Sequence, residues 1–191
     1  MWIFKTFIGK KLDAFARQFN YDMAYSHQIL QAGLKPFKAF SGLFTLAGYR
    51  DRHTPVAPWL AVKWVAVQSE DCGPCQQLII NMARHEGIAP QMIKAITRGD
   101  LNGMGPDTAL AYQWAQAVIH PGSLMSTSAA ATTAIEIDSH AKDLRQRVTA
   151  KWGEQGLISL TLAMAGARSF PMVKRALGHN QQCQILDYGD R

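Results

Sequence analysis

Downstream of Cys75 no segment alternates apolar and polar residues over the length of a strand, whereas apolar residues recur there at steps of three and four. A sheet needs at least two such segments, so more than half of the chain has only helices to build with. Residues 73–86 read as a helix stopped by Gly87, and a short helix runs from Pro90 to Gly99. Another begins near Asp107 and puts Leu110, Trp114 and Val118 on one face. After an Ala/Thr/Ser stretch at 126–134, a helix from Ser139 carries Leu144, Val148 and Trp152. Residues 154–168 are Ala-rich and almost wholly apolar, hence a buried helix, and 170–177 forms a last one ending at Gly178.

Upstream, residues 2–20 set Phe4, Ile8, Leu12, Phe15 and Phe19 along one stripe, with lysines, Asp13 and Arg17 elsewhere. Such a stripe packs on the rest of the molecule or on a second copy, the reading favoured here, or, being basic and aromatic, lies on a membrane surface. Helical segments follow at 22–32 and 35–46, and Gly48 to Pro58 reads as a loop. Residues 58–68 are apolar nearly all round, which fits a buried helix or a buried strand equally. A strand there would have no partner downstream. The expected class is all-α, with six to eight helices.

Composition sets further bounds. At 191 residues, 48% apolar and 18% charged, the chain is long and apolar enough for one domain with a sizeable core. Its net charge of +6 is spread along the sequence without a basic run, so no nucleic-acid partner is expected. Three cysteines, only two of them close together, do not make the framework of a disulfide-stapled secreted domain. The N-terminal apolar residues are too few for a signal peptide and no stretch approaches a membrane-spanning run. A cytoplasmic protein without membrane contact is the expectation.

Chemistry concentrates in Ser69-Glu70-Asp71-Cys72-Gly73-Pro74-Cys75, which runs straight into a helical pattern. Two thiols three residues apart can close a small disulfide. Unpaired amides and aligned peptide dipoles at a helix start favour a thiolate. A thiolate with such a partner attacks a disulfide or a peroxide and is then released by that partner. Cys72 and Cys75 are therefore the candidate redox residues. Glu70 and Asp71 adjoin them, either to cap the helix amides or to serve as a base, and Glu70 is the first candidate for proton transfer. Glu154, which opens an apolar helix, is a further carboxylate to place. His27, His53, His85, His120 and His140 lie on polar faces or in loops away from the pair.

A Cys-x-x-Cys at a helix start in an all-α chain of this size resembles the alkyl hydroperoxidase D and carboxymuconolactone decarboxylase family. Residues 152–179, from Trp152-Gly-Glu to Leu177-Gly178-His179, are similar to the late helix pair of that family. The likeness covers roughly residues 55–180 and is closest to a branch carrying Asp-Cys-Gly-Pro-Cys. It implies a helical domain at 55–191 with an added N-terminal helical arm at 1–54. It also implies peroxidase or disulfide-reductase activity without a cofactor, an external thiol reductant, and assembly into a homo-oligomer. The better-known members carry a His four residues after the second cysteine and a Glu about a dozen before the first. Here those positions are Ile79 and Leu60, so only Cys72 and Cys75 carry over. By resemblance Cys75 is the peroxide-reactive thiol, whereas the dipole argument favours Cys72.

Two alternatives stand beside this one. The first is a lyase of the decarboxylase type, which needs no thiol pair. The second is a non-enzymatic helical protein holding zinc through Cys72, Cys75, His179 and Cys183, the ligand count of a Cys₃His site.

Overall fold

In a computed structural model the chain is described over residues 2–121, 134–179 and 186–187, and among these every regular element is a helix. They are α1 (Trp2–Phe19), α2 (Ala24–Ala32), α3 (Leu34–Gly48), α4 (Val56–Gln68), α5 (Gly73–His85), α6 (Pro90–Arg98), α7 (Gly105–Ile119) and α8 (Ala134–Ala176). Most of the 126–134 stretch, and Cys183, lie outside the described residues.

The ambiguous segment 58–68 is the helix α4, and it is the axis of the fold. Residues Pro58 to Val67 are all buried, because α5, α7 and α8 pack around it. A helix apolar on every side finds cover only in such a central position. The main core gathers here, with Leu60, Trp64 and Val65 of α4 against Ile80, Leu110, Trp114, Leu144, Val148 and Leu160. Val118 does not continue the α7 stripe. It is 46% exposed, and Ala117 takes the core-facing place in that last turn.

Two expectations about the C-terminal half need correcting. Residues 154–168 and 170–177 are not separate helices, since α8 runs on through Pro171 to Ala176. Its real break is Gly153, at φ 70° and ψ −179°, a conformation that lets the chain turn between the two arms of α8 at little cost only because no Cβ is present. The second correction concerns membrane-spanning capacity. Ser139–Ala176 is long and apolar enough to cross a membrane by length and composition, although it is interrupted at Gly153 and 44% of its apolar window is buried in the molecule.

The 1–54 segment has its own aromatic cluster. Tyr25, Phe37 and Phe40 are buried there, and Phe40 meets Phe44 and Phe170 with ring centroids 5.1 and 6.0 Å apart. That last contact reaches α8. At the α3–α8 crossing a Cβ on Gly166 would stand 2.6 Å from the backbone nitrogen of Ala47, so the absence of a side chain is what permits the approach. The α1 stripe is divided. Leu12 is buried and Asn81 of α5 donates a 2.8 Å hydrogen bond to the Phe19 carbonyl, while Phe4 and Phe7 are exposed.

Candidate functional site

Between α4 and α5 the chain turns through Ser69 to Asp71. The Asp71 amide donates to the Gln68 carbonyl at 3.1 Å, and Asp71 has a φ of 49°. Cys72 follows in extended conformation as the residue before α5, and its carbonyl accepts the Gln76 amide at 2.9 Å. Pro74 occupies the first turn, where its missing N–H would have had no partner. Cys75 is thereby one turn in, facing the interior at 3% exposure, while Cys72 stays half-buried. Their Cα atoms are 5.2 Å apart and the sulfurs are joined as a disulfide.

The outer side of the pair is polar and closed by ion pairs. Arg168 Nε donates to Glu70 Oε1 at 2.9 Å, and Arg175 donates to Glu70 Oε2 and to the Glu70 carbonyl. The hydrogen bonds from Arg168 and Arg175 hold the Glu70 carboxyl below its ordinary value. No side chain caps α5. The capping expected of Glu70 fails because α8 brings two guanidinium groups to the same carboxylate, and these outbid a neutral amide.

The inner side is apolar. Cys75 forms part of the wall of an open cavity of about 350 Å³ lined by α1, the α1–α2 turn, α2, α3, α4, α5 and α8. The Tyr21 hydroxyl lies 3.8 Å from Cys75 Sγ, and burial pushes the Tyr21 phenol well above its usual value, so it keeps its proton. Lys63 also lines the cavity, 3% exposed, with its ammonium 3.3 Å from the centre of the Trp59 ring. Burial lowers its pKa to about 7, against the opposing pull of Glu86. A second buried amine, Lys174 of α8, lies over the Tyr21 and Tyr25 rings at 4.8 and 5.6 Å, and burial lowers it too, against Asp22.

Other candidates from the sequence fall elsewhere. Glu154 is exposed and takes no part in the cavity wall. Leu60 is 1% exposed and points into the main core, and Ile79 lines the cavity with carbon only. His85 bonds to Gln18, His27 pairs with Asp13 at 2.9 Å, and His179 bonds to Gln28. Among the described residues no group of three or more His, Cys, Asp and Glu is placed to hold a metal ion, and Cys183 is not among those residues.

Sequence reasoning missed Lys63, Tyr21 and Lys174. Lys63 had a signal, a single charge within ten buried residues of α4. Tyr21 and Lys174 had none, because only the packing of α8 and the N-terminal segment against α5 brings them to the pair. Comparison with family models, with curated proteins and with solved structures finds no match.

Proposed function

We propose that this chain is a thiol–disulfide oxidoreductase in which Cys72 and Cys75 cycle between dithiol and disulfide, with reduction of peroxides as a second outlet. What carries the proposal is a Cys-x-x-Cys pair within disulfide distance, its second sulfur at a helix start and facing a cavity. Cys72, the more accessible of the two, takes the external substrate. Its thiolate attacks one sulfur of a disulfide, a mixed disulfide forms, and the departing thiolate takes up a proton. Cys75 then attacks Cys72 Sγ, closing the internal disulfide and expelling the second thiolate. Two electrons leave the protein, and an external dithiol returns them.

With a peroxide the attacked atom is oxygen. An alcohol leaves, a sulfenic acid remains on sulfur, and the partner thiol displaces water from it. The Tyr21 O–H is placed to donate to the Cys75 thiolate, which supports that charge inside an apolar wall. Glu70 carries a proton in this scheme only by releasing Arg168 or Arg175. Held as found, it fastens α8 to the turn that positions Cys72. The exposed Phe4 and Phe7, one turn apart on α1, are apolar surface that a cytoplasmic homo-oligomer would cover.

The reduction potential of the pair tests the proposal, with thiol counts in oxidising and reducing buffers. A reversible two-electron couple between roughly −300 and −180 mV is expected, the range of working dithiols. A pair that never opens, or that is held by zinc, would overturn it.

A further inference from the structure

We propose that the cavity beside Cys75 binds a small organic acid, its apolar body within the aromatic and aliphatic wall and its carboxylate on the Lys63 ammonium. This goes beyond the redox chemistry and holds with the sulfur pair open or closed.

Lys63 is the group that calls for a ligand. Among the described residues no acceptor lies within hydrogen-bonding distance of its Nζ, and the Trp59 ring is its one close partner. A buried cation without an anion is costly, and a chain that keeps one inside a hole has left the counter-charge to something that enters. The hole is large enough. Small-molecule sites begin at about 300 Å³, and this one measures about 350 Å³.

The charge around it selects the ligand. From α1 comes Lys11, exposed at the rim, from the α1–α2 turn comes Tyr21, and from α2 comes Tyr25. From α5 comes Cys75, with Glu86 just past its end acting on Lys63 through space without forming an ion pair. Behind the two tyrosines lies the Lys174 ammonium of α8. The α3 and α8 residues of the wall, Phe44, Ala47, Gly48, Ala167 and Phe170, carry no charge. No carboxylate lines the cavity, whereas amines stand at its rim, within it and behind it. A monoanion with an apolar tail answers both features. A neutral hydrocarbon would leave Lys63 unpaired, and a free phosphate has no apolar body to set against the aromatic and aliphatic wall.

The sign of the pH dependence follows. Lys63 titrates near pH 7, so affinity for an acid is full below that value and declines above it, as the amine must first be protonated.

The experiment is calorimetric titration of the full chain with 4-phenylbutyrate and with the neutral 4-phenylbutanol. At pH 6 the acid should bind one equivalent about tenfold or more tighter than the alcohol, the worth of one charge-assisted hydrogen bond. Lys63→Met should lose that preference and still take the alcohol. The wild type supplies a check that needs no variant. At pH 8, in buffers of different ionisation enthalpy, binding the acid should take up about one proton and binding the alcohol none. Equal affinity for acid and alcohol at pH 6, no binding of either, or no proton uptake at pH 8 would overturn the assignment. None of these results bears on the potential of the sulfur pair, so the two proposals fail separately.

Discussion

Cys72 and Cys75 share a disulfide, yet they look out on two unlike environments. Outside, Glu70 has an arginine on each carboxylate oxygen, and Asp71 beside it is exposed. Inside, Tyr21, Lys63 and Lys174 sit among rings and aliphatic carbon, with π-faces in place of counter-ions. The outer side is built as a clamp. It ties α8 to the turn before α5, and its groups have little left to offer a substrate. The inner side keeps unspent polar groups in a low-dielectric space, where each is worth more to a ligand and costs the fold more to hold.

The largest effect expected from breaking this division is at sulfur. In a Cys183→Ser background, Cys72→Ser and Cys75→Ser should each reduce disulfide turnover to background. They should differ in what they leave behind. Cys75→Ser keeps the accessible thiol and should trap a mixed disulfide with Ellman's reagent, visible by mass spectrometry. Cys72→Ser leaves only the buried thiol, which should react far more slowly. Turnover surviving in both would remove the pair from the chemistry. The reverse order of reactivity would make Cys75 the attacking thiol.

Next in size is the cost of the inner side. Lys63→Met should stabilise the fold by about 2 kcal/mol near neutral pH, since it removes a buried amine that has no anion. Lys63 binds its proton less well folded than unfolded, so the penalty is full below about pH 7 and is relieved as pH rises toward the amine's ordinary value of 10.5. Denaturant midpoints measured from pH 6 to 10 should therefore climb for the wild type and stay flatter for the variant.

The smallest effect belongs to the clamp. Glu70→Gln should cost about 1 kcal/mol, the upper end for a partly exposed ion pair. Its carboxyl is held below the ordinary value, so this contribution is full above about pH 4.5 and is lost as pH falls through the folded-state value. Thermal melts at pH 7 and pH 3 should show the two proteins differing at the first and converging at the second. Exchange kinetics of the same variant sharpen the comparison. A rate near wild type leaves Glu70 as a fastener, and a rate as low as that of the cysteine variants makes it a proton carrier.

The legibility of these features in the sequence tracks the range over which they are determined. Helix starts and stops were readable because they are local. Pro90 opens α6, Gly99 ends it, and Cys72-Gly-Pro-Cys75 begins α5 as expected. The nature of 58–68 was not readable in isolation, since a segment buried on all sides shows no period, and the neighbours that bury it come from α5, α7 and α8. The break read between residues 168 and 170 is absent, since α8 passes through it and through Pro171, held by α3 and the aromatic cluster around Phe170. The sulfur pair was plain from spacing alone. Its surroundings were not, because Glu70 meets a guanidinium 105 residues away and Cys75 meets a phenol 54 residues before it. Lys63 lay in view as a lone cation in an apolar run, and its meaning waited on the cavity.

That spread of sequence has a consequence for how the protein comes into being. The two cysteines are near neighbours in the chain and leave the ribosome almost together, so their thiols can meet as soon as α5 forms. The arginines that close the outer side, and Phe170 of the inner wall, emerge about a hundred residues later, roughly 5–20 s at ordinary translation speeds. For that interval the nascent chain carries a reactive dithiol with no cavity behind it and no clamp in front. On the proposed chemistry, surroundings that could select a substrate are in place only once α8 has emerged, after the thiol pair itself.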